Sequence, residues 1–285
     1  MKKRDVIFIS IMYLIAYGIS GFLYSLVDNP MTGLIVFTFS ATIIIWIFGV
    51  LLKNSSVYDP YWSVTPVIML LVLMIDLKSF GSASILIFSF VLFWSFRLTH
   101  NWYKTFKDLK TQDWRYDMYK NKYPKAWFFL NLFGINLMPT LITFFAMMPL
   151  FLIVISDLTF RPLMIIGLII MLFGTILELF SDKIMHDFLK QDQKEMNVCN
   201  VSLYKYSRHP NYLGEIMFWL GAYLVLLFTD FSLWYFNAGV IMVFFLFYYV
   251  SIPLMEKRLV DRRKGYKEYQ KKVSVLLLLP QKKED

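Results

Sequence analysis

Long runs of apolar residues, separated by short polar segments, constrain this chain most strongly. Hydrophobic residues make up 58% of its 285 positions, and such runs are typical of transmembrane helices rather than of soluble domains. We therefore expect an all-α fold, a polytopic integral membrane helix bundle. About eight transmembrane helices are predicted, within a range of six to nine, at 6–27, 33–52, 64–77, 82–100, 130–155, 162–180, 211–229 and 232–252.

The distribution of positive charge predicts the orientation of these spans. With the N-terminus in the cytoplasm, 26 Lys and Arg residues lie in cytoplasmic segments, and only Lys78 and Arg161 lie in the opposite ones. Basic residues concentrate on the cytoplasmic side of membrane proteins, so we expect N-in and C-in with an even number of spans. The net charge of +9 is therefore explained by anionic lipid rather than by nucleic acid.

Composition also indicates in which membrane the protein lies and which kinds of site it lacks. The basic start of the chain precedes a long apolar run without a small-residue cleavage site, which indicates a retained first span and not a signal peptide. Cys199 is the single cysteine, so no disulfide forms within the chain, and three scattered histidines predict no metal site. We expect a multi-pass protein of the bacterial inner (plasma) membrane, with an N-terminal hairpin at 1–55 and a catalytic domain with a cytoplasmic tail at 56–285.

The most distinctive segment is Ser207 to Glu215, with the sequence Ser-Arg-His-Pro-Asn-Tyr-Leu-Gly-Glu. Pro210 suits the first turn of a helix, and the N–H groups and dipole of a helix start favour an anion. Arg208 and His209 add positive charge there. Asn211 and Glu215 lie four residues apart on one helix face, and a carboxylate in a span faces a polar cavity. The segment predicts one wall of a pocket for an anionic, partly polar ligand.

Other polar residues lie at the same predicted cytoplasmic side. Glu178, Asp182 and His186 share a face at the end of span six, where a solvated helix end is the alternative interpretation. Asp59 either forms a turn before Pro60 or binds or protonates a substrate. Arg97 in span four is another candidate, although its side chain could instead reach the interface. The remaining candidates are Lys190, the basic and aromatic stretch 113–116, and Arg258, Arg262 and Tyr266 in the C-terminal tail. We expect this tail to dock against the bundle or membrane.

These residues resemble the steroid 5-alpha-reductase-like superfamily, and the chain is most similar to its bacterial membrane proteins. The resemblance covers about 57–280. Its motifs are Asp59-Pro-Tyr-Trp-Ser, Trp94-Ser-Phe-Arg97-Leu, Asp113-Trp-Arg-Tyr, Ser181-Asp182, the segment Ser207 to Glu215 with Trp219 and Gly221, and the tail from Glu256-Lys-Arg to Tyr269 and Pro280. It implies a membrane-embedded NAD(P)H-dependent reductase that reduces an activated C=C bond in a lipid or steroid-like substrate.

Residue roles follow from that resemblance and not from spacing. Asn211 resembles a nicotinamide-contacting asparagine, and Glu215 its supporting acid. Glu178 stands where the reductases have an amide, and Asp182 also resembles a cofactor contact. Further resemblances concern cofactor binding by Arg97, Lys190, Arg208, His209, Arg262 and Tyr266, and catalysis by Asp59, Tyr212 and Glu215. The substrate-polarising Glu and Tyr pair of the steroid enzymes has no secure counterpart, and Asp59 is a positional candidate.

Two alternatives remain at this point. Isoprenylcysteine carboxyl methyltransferases and related phospholipid methyltransferases have a similar C-terminal part, which would imply S-adenosylmethionine as the cofactor and a lipid or prenyl-linked substrate. Glu256-Lys257 stands where those enzymes have two consecutive acids, so NADPH is favoured. A non-enzymatic transporter or scaffold is the second alternative, but it leaves the segment at 207–215 unexplained.

Overall fold

The computed structural model describes residues 3–191 and 197–282, and within these ranges the fold is helical, with no β-strand. In chain order the helices are α1 (Lys3–Tyr24), α2 (Pro30–Leu52), α3 (Tyr61–Asp76), α4 (Ser82–Thr105), α5 (Trp114–Lys122), α6 (Trp127–Phe129), α7 (Met138–Ile155), α8 (Met164–Gln191), α9 (Pro210–Leu227), α10 (Ala238–Phe245), α11 (Ile252–Arg262) and α12 (Tyr266–Lys272). Two π-helical segments, Leu130–Leu137 and Leu246–Ser251, and three 3₁₀ turns, Ser55–Tyr58, Ser202–Lys205 and Phe231–Leu233, complete the described structure.

Several of these helices have the length and composition of membrane spans. Seven stretches in the described ranges meet this condition: Arg4–Tyr24, Pro30–Leu52, Ser55–Asp76, Ser82–Thr105, Trp127–Ile155, Met164–Gln191 and Ala238–Arg262. The predicted fold class is confirmed, and the chain is an integral, multi-pass membrane protein. The seventh predicted span, 211–229, is not among these stretches and corresponds to α9, an 18-residue helix whose first turns carry Asn211 and Glu215 and are therefore less apolar.

Helix boundaries differ from the predicted ones in two places. The third stretch begins at residue 55 rather than 64, so it is longer than expected. Helix α8 continues to Gln191, eleven residues beyond the predicted end of span six, and so carries Asp182, His186 and Lys190 on one continuous helix. In the fifth stretch Pro149 lies inside α7 without ending it, and Pro139 lies at the start of α7, where its missing N–H is tolerated.

The chain divides by helix packing into two compact units, Met1–Phe160 and Arg161–Asp285. In the first unit α1 packs against α2, and α3 packs against α4 and α7. In the second unit α8 packs along α9, which also contacts α10. This division by packing does not test the predicted hairpin at 1–55 or the predicted catalytic domain at 56–285, which stay predictions.

The interior of the first unit contains a set of buried hydroxyl groups as well as apolar side chains. The Tyr58 and Thr140 hydroxyls are 2.8 Å apart, and those of Thr42 and Thr140 are 3.0 Å apart. The Thr42 hydroxyl donates to the Tyr61 oxygen at 2.9 Å, and Tyr61 donates to the Thr38 carbonyl at 2.8 Å. Buried hydroxyls must be paired, so this set fixes how α2, α3 and α7 face one another.

The π-helical segment Leu130–Leu137 precedes α7 and joins the same region. The Asn136 side chain donates to the carbonyl of Asn131 at 2.7 Å and to its side-chain oxygen at 3.1 Å. The Ser55 hydroxyl also donates to that side-chain oxygen, at 3.1 Å. The segment is thereby tied to the 3₁₀ turn that begins at Ser55.

Glycines allow α8 and α9 of the second unit to come into backbone contact. A Cβ atom at Gly174 would lie 2.5 Å from the carbonyl oxygen of Gly214, and one at Gly221 would lie 2.6 Å from that of Gly167. Such distances leave no room for a side chain, so these positions need glycine for close packing. Gly214 in turn lies against Glu178, since a Cβ added there would be 2.5 Å from Cγ of Glu178.

The C-terminal tail docks back onto the loop before α9, as the sequence predicts. Ser207 and Ser274 form an isolated parallel bridge, and the Ser207 hydroxyl donates to the Leu276 carbonyl at 2.7 Å. The Tyr269 hydroxyl donates to the carbonyl of Tyr204. Together these bonds hold the end of the chain against the segment that leads into α9.

We expect the replacement Gly221→Ala to destabilise the second unit, because the new Cβ would collide with the backbone of Gly167 and Met171 on α8. Overpacking of this kind costs about 1–3 kcal/mol. The apparent melting temperature in detergent, measured at one fixed scan rate, should fall.

Gly18→Ala is the matched control, because a Cβ at this helical glycine meets nothing within 4 Å. It should leave the melting temperature unchanged or raise it slightly, as alanine favours helix over glycine by about 1 kcal/mol. Equal melting temperatures for the two variants would contradict close packing at Gly221.

Candidate functional sites in the two units

In the first unit, the loop after α4 folds onto the 3₁₀ turn that precedes Asp59. The Asn54 side chain donates to the Leu109 carbonyl at 2.7 Å. The backbone N–H of Ser55 donates to the Gln112 side chain at 2.7 Å, and that of Asp113 donates to the Ser56 hydroxyl at 2.9 Å. These bonds fix the start of α5 beside the start of α3.

This docking joins two residues that are 57 positions apart in the sequence. The Tyr116 hydroxyl donates to a carboxylate oxygen of Asp59 at 2.6 Å. Both side chains are half-buried, so the pair is neither sealed in the core nor fully in water. Burial, and next the negative charge of Asp59, raise the pKa of Tyr116 well above its ordinary value. Tyr116 therefore remains protonated at neutral pH and can donate a hydrogen bond.

Arg115 and Asp113 support this pair from the same helix start. The Arg115 guanidinium donates to both carboxylate oxygens of Asp113, at 2.8 and 3.1 Å. The Asp113 carboxylate also accepts the backbone N–H of Arg115 at 2.8 Å and so caps α5. Sequence reasoning named Asp59 as a candidate but did not assign Tyr116 a role. Tyr116 belongs to the Asp113-Trp-Arg-Tyr motif, but no residue near it in the sequence indicates that Asp59 is its partner.

The other candidate of the first unit, Arg97, is buried on α4 with 6% of its surface exposed. A lysine or arginine that reaches the interface would be more exposed, so its burial disfavours that interpretation. His100, one turn further along α4, is exposed and stacks on Phe96 with ring centres 6.0 Å apart.

In the second unit, Glu178 lies beside the segment 207–215. It is 1% exposed and contacts Gly214 across the close packing of α8 and α9. Glu215 is also buried, and its carboxylate accepts the indole N–H of Trp219 at 2.9 Å, one turn along α9. That bond fixes the orientation of the carboxylate. Asp182, one turn beyond Glu178, is half-buried.

Tyr212 and Asn211 occupy the first turn of α9 and are both half-buried. The Tyr212 ring lies between two others, with centres 5.3 Å from His209 and 4.7 Å from Phe247. Phe247 belongs to the π-helical segment Leu246–Ser251, and π-helical turns are frequent at functional sites. The stack holds the beginning of α9 against that segment.

Arg208 makes a larger set of contacts than the sequence predicts. Its guanidinium donates to both carboxylate oxygens of Glu256, at 2.6 and 3.3 Å, and to the carbonyls of Gln270 and Val273, at 2.8 and 2.6 Å. His209 lies 3.1 Å from the same carboxylate, which also accepts the Gln270 side chain at 2.7 Å. A phosphate would have to replace one of these partners of Arg208.

The remaining predicted cofactor residues lie elsewhere in the second unit. Lys190 is exposed near the end of α8, 3.7 Å from Asp187. Arg262 is the last residue of α11 and is exposed. Tyr266 is buried in a small core of the tail with Tyr269 and Val273. The structure thus brings Glu178 to the start of α9 and groups Arg208 and His209 around Glu256. Lys190, Arg262 and Tyr266 lie in other surroundings.

The part of the chain that the structure describes contains no group of three or more His, Cys, Asp or Glu side chains arranged to hold a metal ion. The thiol of Cys199 is buried, and burial raises its pKa to about 11. An unreactive thiol of this kind is a structural side chain.

Comparison with known proteins places the chain in a family. The family described as "Protein of unknown function (DUF1295)" matches residues 45–273. The chain belongs to the DUF1295 family. The matched region includes the Asp59–Tyr116 pair and the partners of the Arg208 guanidinium, and ends at Val273, whose carbonyl accepts one of the guanidinium hydrogen bonds.

This DUF1295 chain is also similar to a yeast protein. An uncharacterized protein of Schizosaccharomyces pombe, C594.04c, is 26% identical over 276 residues, which cover 86% of the chain and 78% of the relative. Similar proteins therefore occur in a eukaryote, and the bacterial inner membrane stays a prediction for this chain. No solved structure matches it.

We expect Glu256→Ala to release the tail, because it leaves Arg208 buried without its carboxylate. Removing one partner of a buried ion pair costs about 3–5 kcal/mol. Brief trypsin digestion followed by mass spectrometry should show faster cleavage at Lys271 and Lys272, and the apparent melting temperature should fall.

Glu268→Ala removes an exposed acid from α12 and is the matched control. It should change neither measurement. Should both variants be digested at the wild-type rate, the Arg208–Glu256 contact would not hold the tail.

Proposed function

We propose that this protein is a membrane-embedded NAD(P)H-dependent reductase of an activated C=C bond in a lipid or steroid-like substrate. The hydrogen bond between Tyr116 and Asp59 carries the proposal. The resemblance of the sequence motifs to the steroid 5-alpha-reductase-like superfamily supports it, because those enzymes polarise their substrate with a glutamate and a tyrosine.

The reaction places a specific demand on the protein. Reduction of a C=C bond conjugated to a carbonyl puts negative charge on the carbonyl oxygen, and hydrogen-bond donors positioned at that oxygen stabilise the charge. A tyrosine beside a protonated carboxyl group can supply such a donor. In the substrate complex Tyr116 would give its single O–H to the substrate oxygen, and a protonated Asp59 would donate to the phenol oxygen and hold it in place.

The position of the pair is consistent with a lipid substrate. Asp59 lies near the start of the membrane-spanning stretch Ser55–Asp76, and Tyr116 lies on α5, which follows a polar loop. Both side chains are half-buried. A carbonyl at the polar end of a lipid could reach this level while its hydrocarbon part remains in the bilayer.

The second unit offers residues for the cofactor. Reduction of the C=C bond would need a hydride at the carbon β to the carbonyl, which a bound reduced nicotinamide would supply, and a proton at the α carbon, which water would supply. Asn211, half-buried in the first turn of α9, could hydrogen-bond its amide, and Glu215 is oriented for support by Trp219. Arg208 does not suit a phosphate in its present contacts with Glu256, Gln270 and Val273, so we assign it to holding the tail.

Substitutions in the pair should impair reduction without loss of the fold. We expect Tyr116→Phe to lower kcat by about 10²–10³-fold, the usual effect of removing a donor at a developing oxyanion. Asp59→Asn, which keeps the shape of the side chain but has no acidic proton, should lower kcat as well. NADPH consumption by the protein in nanodiscs, supplied with a panel of α,β-unsaturated lipid ketones, measures the effect.

Tyr103→Phe and Asp28→Asn change an exposed tyrosine and an exposed aspartate, and should leave kcat unchanged. Turnover at the wild-type rate in both pair variants would remove Asp59 and Tyr116 from the mechanism.

Cofactor identity is tested separately by titration of the purified protein. We expect saturable NADPH binding in the micromolar range, no competition by S-adenosylmethionine, and weaker NADPH binding in Asn211→Ala than in Asn121→Ala, which changes an exposed asparagine of α5. Saturable binding of S-adenosylmethionine without NADPH binding would favour the methyltransferase alternative. Binding of neither cofactor would favour a transporter or scaffold.

A further inference from the structure

The C-terminal tail and the loop before α9, which a backbone hydrogen bond joins, both expose apolar side chains. Leu277, Leu278 and Leu279 are consecutive, and each has between 37% and 56% of its surface exposed. Val201 and Tyr206, on the loop, are exposed to a similar degree. We call these five residues the tail patch. Three consecutive exposed leucines are unfavourable in water, so a non-aqueous partner would stabilise them.

The tail patch is built by the fold and is not a frayed end. The backbone N–H of Leu279 donates to the Tyr206 carbonyl at 3.2 Å, and this bond joins the two segments. The Gln281 side chain donates to the Lys205 carbonyl at 3.1 Å and to the Asn200 side chain at 2.8 Å. Leu276, by contrast, points inward and is buried.

The patch lies close to the start of α9, which packs along a membrane-spanning helix. Tyr206 is four residues before Pro210, the first residue of α9, and α9 packs along the membrane-spanning stretch Met164–Gln191. Four extended residues reach at most about 14 Å. Leu279, which is hydrogen-bonded to Tyr206, is therefore held a short distance from the start of α9.

Positive charge surrounds the patch. Lys205 is exposed between Val201 and Tyr206 in the loop, and the exposed Lys282 follows the leucines. The backbone N–H of Lys282 donates to the Lys272 carbonyl at 2.9 Å, which brings a third lysine to the same end of the tail. Exposed leucines with a rim of lysines are typical of segments that lie in the interface of an anionic membrane.

We propose that the tail patch inserts into the headgroup region of the membrane that the protein spans, with anionic phospholipid as its partner. The leucines then leave water, and the lysines meet lipid phosphates. The function of this contact is to anchor the tail, and through the Ser207–Ser274 bridge the start of α9, at a fixed depth. The proposal does not depend on the reductase activity.

Site-directed spin labelling of the full chain in nanodiscs tests the proposal. In a Cys199→Ser background, a nitroxide is attached at Leu278→Cys or, as a matched control on the exposed face of α12, at Glu268→Cys. Leu277→Cys serves as a second patch position. Power saturation then compares collision with oxygen, which concentrates in lipid, and with a water-soluble nickel chelate.

We expect the labels at 277 and 278 to collide mainly with oxygen and the label at 268 mainly with nickel. Replacing phosphatidylcholine partly by phosphatidylglycerol should deepen the patch labels, and Lys205→Gln with Lys282→Gln should abolish that lipid dependence. Nickel accessibility at 278 equal to that at 268 would overturn the proposal.

Two further outcomes would also overturn it. Protection of the patch labels from both oxygen and nickel would show that protein covers them. Spin–spin broadening that disappears on dilution with unlabelled protein would identify a second copy as the occupant in place of lipid.

Discussion

A polar side chain buried in a membrane-spanning helix must find its partner within the protein, because lipid offers none. The hydroxyls of Tyr58, Thr140 and Thr42 follow this constraint in the first unit, where each lies within hydrogen-bond distance of another. Arg208 lies outside the spanning stretches but is also buried from water, and its guanidinium is shared between a carboxylate and two carbonyls. The same constraint makes the half-buried Asp59–Tyr116 pair informative, since it is paired and still accessible.

Much of the architecture could be predicted from the sequence, because its signals are local. Apolar runs predict the membrane helices, and Pro210 predicts the start of α9. The apolar stretch near the C-terminus predicts the docking of the tail. The extension of α8 to Gln191 was missed, because its last turns are polar and give no hydropathy signal.

The candidate sites were predictable only in part, because their partners are distant in sequence. Asp59 and Tyr116 belong to separate motifs, and only the docking of the 108–113 loop brings them together. Likewise, the positive charge of Arg208 predicts an anion, but the anion present is Glu256, 48 residues away. A positive side chain that the sequence suggests for binding an anionic ligand can instead pair with an acidic side chain of the protein. Only a structure separates the two cases.

The wide turns of Leu130–Leu137 have a consequence for the rest of their helix. A π-helical turn contains more residues than an α-helical one, so the segment sets the azimuth of everything that follows it. If the same eight residues wound as an ordinary α-helix, the chain would turn further over them and α7 would begin at a different azimuth. Thr140 would then be displaced from Tyr58 and Thr42, and both would lose it as a hydrogen-bond partner. The winding of this one segment is therefore as tightly constrained as the chemistry of the residues it aligns.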